Sequence, residues 1–275
     1  MTDAVSHKGT SEKDKTFPKS DKVNVEKCHT ITGLVLTLPQ TCIYRKIWMN
    51  QRNTRLLSLV PRMQTMAERG FVVIAFDESY NGESSGEPRH ISSPDIFAED
   101  FSAGVDYLGT RSYVDRNQIG AIGICGSGGF ALSAAKVDHR IKAIATASMY
   151  DMSRVKRNGW EDSMTDEQRN EYFVQLGEQR WKDFENGSPQ LTPTFPAEIP
   201  EGLDPITSEF FEYYVAPRGH HPNSIGGLTM TSDLSFMKFP LVIDLESISP
   251  RPILFIMGEN AHLRYFTEDA YKTAA

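Results

Sequence analysis

Four short apolar runs constrain the fold of this chain more than any other feature of its sequence. They read GFVVIAFD, QIGAIGIC, IKAIATASMYD and PRPILFIMGE, at residues 70–77, 118–125, 141–151 and 250–259. Uninterrupted apolar runs of this length are typical of strands that are buried on both faces of a sheet. Segments with helical spacing of apolar residues separate the first three runs. This alternation predicts βαβ units, and therefore an α/β fold with a mostly parallel sheet flanked by helices.

Composition and charge exclude several classes of partner. Of the 275 residues, 39% are hydrophobic, which is enough for a sizeable core. The net charge of −7 argues against nucleic acids and membrane surfaces as partners, because both bind clustered cations. The three cysteines, Cys28, Cys42 and Cys125, form no C-x-x-C pair, which indicates a reducing compartment. Because the N-terminus is polar and no apolar run has membrane-spanning length, the sequence predicts a soluble, cytoplasmic protein.

The chain is predicted to form one domain with an insertion. Residues 1–24 are rich in polar and charged types and are expected to be a flexible N-terminal segment, followed by the α/β domain at residues 25–275. Residues 41–63 show no clear alternation and are left unassigned. The strand–helix rhythm breaks after Asp151, and the irregular segment at about residues 152–238 is predicted to form a helical lid over the carboxyl edge of the strands.

The second apolar run leads into a glycine-rich turn, GICGSGG, which fits two chemistries. In the first, Cys125 is a nucleophile on a tight strand-to-helix turn, and the Gly126 amide stabilises the oxyanion that develops at the reacting carbonyl. In the second, residues 126–131 match the dinucleotide fingerprint G-x-G-x-x-[G/A], and Asp151 stands where a ribose ligand is expected. A glycine-rich crossing with a buried, inert cysteine is a third interpretation.

Context favours the nucleophile. A dinucleotide fingerprint normally follows the first strand of its domain, whereas at least two strands precede this turn. The spacing of small residues around the turn favours Cys125 over Ser127 as the nucleophile, although Ser127 with small flanks at Cys125 and Gly129 is sterically allowed.

Three segments together resemble a known family. Residues 66–154, the insertion and residues 248–272 are similar to the dienelactone-hydrolase-like branch of the α/β-hydrolase superfamily, and more closely to largely uncharacterised bacterial members of that fold. The DESYNGESSGE loop after Asp77 also resembles a D-x-x-G-x-G-x-S loop of that superfamily. The resemblance implies an eight-stranded, mostly parallel sheet and a Cys or Ser nucleophile at Cys125. It implies hydrolysis of an ester, lactone or related acyl bond without a metal or organic cofactor.

The resemblance also implies an acid and a base. The acid is expected a few residues past the last apolar run, where Glu259 is the nearest candidate, with Asp269 and Asp151 as alternatives. The family's catalytic histidine lies beyond the helix EDAYK, so the chain is expected to stop before it; none of the seven histidines occupies that position. A loop after the third strand would supply the second oxyanion amide, but residues 40–62 lack the family's His-Pro-x-Gly-Gly-like signature.

The sequence thus leaves three functions in order. The first is a cofactor-free hydrolase of the dienelactone-hydrolase or carboxylesterase type, acting on a small acyl substrate through Cys125. The second is a catalytically impaired or truncated α/β-hydrolase-fold protein with a binding role. The third is a dinucleotide-binding oxidoreductase. Whether the chain forms homo-oligomers is left open.

Overall fold

The structure, a computed structural model, describes residues 22, 24–28, 33–37, 47–52, 59–217, 219–220 and 224–274. Its strands are β1 (Asn24–Cys28), β2 (Gly33–Thr37), β3 (Ile47–Arg52), β4 (Val72–Asp77), β5 (Ile119–Ile124), β6 (Ala143–Ala147) and β7 (Ile253–Ile256). Its helices are α1 (Leu59–Glu68), α2 (Pro94–Gly109), α3 (Gly126–Val137), α4 (Met152–Asn158), α5 (Asp166–Asn186), α6 (Pro205–Tyr214), α7 (Ser232–Lys238) and α8 (Arg264–Thr273).

The strands form one sheet in the order β1-β2-β4-β3-β5-β6-β7. Strands β3 to β7 pair in parallel, and β1 and β2 are antiparallel to their neighbours. The predicted α/β class with a mostly parallel sheet is therefore confirmed. The described residues supply seven of the eight strands that the resemblance implied, with β7 at one edge.

Burial explains why the apolar runs form strands. In β4, the residues from Val72 to Phe76 are all buried, as expected for a strand that helices cover on both faces. Phe76 packs edge-to-face on Phe101 of α2, with ring centroids 5.6 Å apart. Helix α2 begins with Pro94 in its first turn. Ser93 precedes it, but its side chain makes no capping hydrogen bond, because Phe97 donates its amide to the Ser93 carbonyl instead.

Helices α4 to α7 form the insertion between β6 and β7. Asp233 of α7 is buried and accepts hydrogen bonds from Lys156 Nζ of α4, at 2.8 Å, and from Tyr172 Oη of α5, at 2.6 Å. These contacts join three helices of the segment through one carboxylate. The N-terminal segment 1–24 lies almost wholly outside the described residues, and the role of the insertion as a lid stays a prediction.

Across the part of the chain that the structure describes, no helix has both the length and the apolar character that a bilayer crossing requires.

Candidate active site

The glycine-rich turn contains one residue between strand and helix. Strand β5 ends at Ile124 and α3 begins at Gly126, so Cys125 alone makes the turn. Its backbone lies at φ 57° and ψ −126°, a conformation that L-residues rarely adopt. A non-glycine residue held this way costs about 1–3 kcal/mol, and such residues cluster at functional sites. The Cys125 side chain is half-buried.

Backbone hydrogen bonds to the next loop hold this conformation. The Cys125 amide donates to the Ala147 carbonyl at the end of β6, at 3.0 Å. The Cys125 carbonyl accepts from the amides of Gly128 and Tyr150, each at 3.0 Å. The strained residue is therefore fixed by its own helix and by the loop that follows β6.

The other nucleophile candidate, Ser127, points back into the strand. It is buried, its hydroxyl donates to the Ile124 carbonyl at 2.8 Å, and it accepts from the Ile124 amide at 2.8 Å. These bonds occupy the hydroxyl group as a brace of the turn. Of the two candidates, Cys125 is the one that the turn presents.

The glycines around Cys125 make room for the protein's own atoms. A Cβ at Gly126 would lie 2.8 Å from the sulfur of Met152, and one at Gly128 would lie 2.8 Å from Cγ of Met149. A dinucleotide site needs this space for the pyrophosphate. The Asp151 carboxylate, named as the ribose ligand in that hypothesis, instead caps α4. The dinucleotide interpretation therefore finds no support at this turn.

Gly126, the predicted oxyanion donor, is the first residue of α3. The first amides of a helix have no acceptor within the helix, and the helix dipole makes this end favourable for a negative charge. The Gly126 amide thus lies beside Cys125 in a position suited to an anion. The loop after β3, residues 53–58, where the second donor was expected, lies outside the described residues.

The predicted acid, Glu259, lies in the loop after β7. It is exposed, and it borders a cavity of about 310 Å³ with Met257, Gly258, Arg264, Thr267 and Glu268. Strand β6 lies between β5 and β7, so the carboxyl ends that carry Cys125 and Glu259 are separated by two strand spacings, roughly 10 Å. The structure places them at the same edge of the sheet without bringing them into direct contact.

The two alternative acids differ in their surroundings. Asp269 of α8 is bound by Arg154 and Lys272, each at 2.9 Å, and these hydrogen bonds hold the pKa of its carboxyl below the ordinary value. Asp151 follows β6, the strand next to β5, and its carboxylate accepts the Arg154 amide at 3.0 Å. Burial raises the pKa of Asp151, against the opposing effect of that hydrogen bond. A buried carboxyl with a raised pKa beside the Cys125 turn marks Asp151 as the acid candidate that the geometry favours.

The described histidines occupy different parts of the fold. His90 lies in the loop after β4, where burial and Arg89 lower its pKa. His139 follows α3 at the edge of the sheet opposite Cys125. His262 follows β7 at the same edge as Cys125 and stacks on Trp160, with ring centroids 5.6 Å apart. His7, His29 and His221 lie outside the described residues.

One further residue of the site was not predicted from the sequence. Ser148 directly follows β6, is exposed, and has φ 49°. Its neighbour Met149 is fully buried against Gly128. A serine at the end of a strand gives no signal by itself; the only clue was its position in the strand after the Cys125 turn.

Comparisons with known proteins extend this picture. No protein-family model matches the sequence. The chain is 47% identical to the uncharacterised protein PA2218 of Pseudomonas aeruginosa, over 97% of this chain and 75% of that protein. The chain belongs to the PA2218 family. The crystal structure of PA2218 superposes with a TM-score of 0.90, over 99% of this chain and 89% of that chain, at 46% identity.

Two more comparisons place the PA2218 family. The uncharacterised protein YcjY of Escherichia coli is 36% identical over 76% of this chain and 69% of its own length. The α/β hydrolase GrgF from Penicillium is 18% identical and superposes with a TM-score of 0.71, over 94% of this chain and 86% of that chain. The PA2218 family therefore has the α/β-hydrolase fold.

Proposed function

We propose that the protein is a cofactor-free hydrolase of an ester, lactone or related acyl bond, with Cys125 as its nucleophile. The observation that carries this proposal is the one-residue turn: Cys125 at φ 57° between a buried strand and a helix N-terminus. A turn of this kind presents a side chain above the carboxyl edge of the sheet, where α/β folds bind ligands. It also sets the Gly126 amide beside that side chain.

The reaction divides into two acyl transfers. In the first, the Cys125 sulfur attacks the carbonyl carbon, a C–S bond forms, the C–O bond to the leaving group breaks, and the alcohol departs with the proton that the thiol gave up. In the second, water attacks the thioester, the C–S bond breaks, and the acid and the thiol are released. The Gly126 amide donates to the carbonyl oxygen as negative charge develops on it in each step. The N-terminus of α3 also favours the Cys125 thiolate.

Asp151 is the better-placed acid for this scheme. Glu259 is exposed and two strands away from Cys125, whereas Asp151 is buried one strand away, in the loop that donates the Tyr150 amide to the Cys125 carbonyl. A buried carboxylate fixed by a helix cap can orient a base and stabilise its charged form. The base itself is unassigned; His262 is a described histidine at the same edge of the sheet.

Replacing Asp151 by asparagine is expected to raise stability and lower activity at pH 7. A raised folded-state pKa means that the carboxyl contributes its full stability below its unfolded pKa and loses it as the pH rises through the folded pKa. At pH 7 the ionised, buried group is therefore a cost that Asp151→Asn removes. We expect a higher Tm for the variant at pH 7 and a smaller difference from wild type at pH 4. In turnover assays Asp151→Asn should lose activity, whereas the exposed Glu259→Gln should change neither quantity.

The proposal is tested by trapping the acyl-enzyme. Mixing the protein with p-nitrophenyl acetate should release a burst of nitrophenolate stoichiometric with enzyme, and mass spectrometry of peptides should find the acetyl group on Cys125. A Cys28→Ser/Cys42→Ser variant, which keeps Cys125 alone, should give the same burst. A burst without subsequent turnover would support the impaired-protein alternative. No acetylation at Cys125 would refute the proposal, and tight NADH binding in its place would revive the oxidoreductase.

A further inference from the structure

A second strained residue lies beside Cys125. The loop after β6 contacts both backbone groups of Cys125, because the Ala147 carbonyl accepts its amide and the Tyr150 amide donates to its carbonyl. Ser148 lies between these two contact points. It is therefore held next to the proposed nucleophile by backbone bonds on both sides.

The rest of the loop is anchored and leaves Ser148 exposed. The Ser148 amide donates to the Ile256 carbonyl of β7 at 2.8 Å. Met149 is fully buried in the space that Gly128 leaves by having no side chain. With the amide engaged and the next residue packed on α3, the Ser148 side chain is directed outward, at the carboxyl edge of three parallel strands.

The backbone of Ser148 is strained for a serine. Its φ is 49°, which glycine adopts without a steric penalty. If the loop needed only a turn between β6 and α4, glycine would serve at least as well. Strain that a simpler residue would relieve, found beside a proposed nucleophile, indicates that the side chain has a use.

We propose that the Ser148 hydroxyl contacts the substrate and donates a hydrogen bond to an oxygen of the acyl group bound at Cys125. This inference rests on the proposed hydrolase function and adds a specificity-determining residue to it. It places substrates with an acyl oxygen in reach of Ser148 at an advantage over those without one. The strained backbone is what aims the hydroxyl.

Two substitutions separate a substrate contact from a structural turn. Ser148→Ala removes the hydroxyl and should lower kcat/KM for p-nitrophenyl acetate about five- to ten-fold, the usual effect of one lost hydrogen bond. Ser148→Gly should lower it equally and raise Tm by about 2 °C or more, because it also relieves the strain. Asp244→Gly is the matched control, since Asp244 is exposed at φ 52° before the opposite end of β7. It should raise Tm and leave kcat/KM unchanged. A Ser148→Gly variant as active as wild type would overturn the proposal.

A second measurement reads Ser148 without turnover. Iodoacetamide and iodomethane both alkylate Cys125 by displacing iodide, but only iodoacetamide carries an acyl oxygen. The ratio of their second-order rates at Cys125 should fall about three-fold or more in Ser148→Ala, on the scale of a weak hydrogen bond. If wild type shows no turnover but this ratio falls, the hydrolase function fails while the Ser148 contact stands. An unchanged ratio overturns the contact whatever the turnover.

Discussion

Replacing Cys125 by alanine is expected to lower the turnover of p-nitrophenyl acetate on the order of 10³-fold or more, to near the uncatalysed rate. Covalent catalysis needs the nucleophile itself, and the remaining groups supply only binding and oxyanion stabilisation. Cys125→Ser should also lose most activity, because a hydroxyl is scarcely ionised near neutral pH, whereas a few per cent of a thiol is thiolate. Steady-state rates and the nitrophenolate burst measure both effects.

The control for this experiment is Ser127→Ala. The Ser127 hydroxyl makes two hydrogen bonds to the Ile124 backbone inside the turn. Its removal leaves a buried amide and a buried carbonyl without this partner and should lower the free energy of unfolding by about 1–3 kcal/mol. Acetylation of Cys125 should persist in the folded variant. If Ser127→Ala abolished the burst and Cys125→Ala did not, the assignment of the nucleophile would be reversed.

Local patterns were enough to predict the central part of the fold. Strands β4 to β7 are continuous apolar runs, because a strand covered on both faces has no polar side to interrupt the run. Strand β3 lies between β4 and β5, yet residues 41–63 gave no assignment. Its sequence, IWMNQR, mixes apolar and polar residues, and no short-range pattern identifies such a strand. Its position is set by pairing with segments far away in the chain.

The candidate site follows the same division. The Cys125 turn was predictable because strand, turn and helix are adjacent in the sequence, and the small residues in between mark it. The preference for Asp151 over Glu259 was not predictable, since it depends on which loop is buried beside β5. Ser148 and the methionines that fill the space at the glycines were missed for a similar reason. Their roles arise from contacts between two strands' loops, which spacing along one chain segment does not reveal.

The second large effect is expected from replacing Gly123 by alanine. Gly123 is in β5, two residues before Cys125, and a Cβ there would lie 2.4 Å from the Ser127 carbonyl oxygen and 2.5 Å from Cα of Gly128. Both are backbone atoms of the first turn of α3, so no side-chain rotation relieves the clash. The helix must move away from the strand, which breaks the bonds that hold the turn. We expect the free energy of unfolding to fall by about 3 kcal/mol or more, a large part of the total for a typical domain.

Gly177→Ala is the matched control for Gly123→Ala, because a Cβ at Gly177 of α5 meets no atom within 4 Å. Alanine in that helix interior should raise stability by about 0.5–1 kcal/mol. Urea unfolding followed by circular dichroism gives both values. Iodoacetamide labelling of folded Gly123→Ala should also be slower at Cys125, because the displaced helix end no longer favours the thiolate. Wild-type stability in Gly123→Ala would mean that β5 and α3 are not in close contact, and the strained turn at Cys125 would then lose its physical basis.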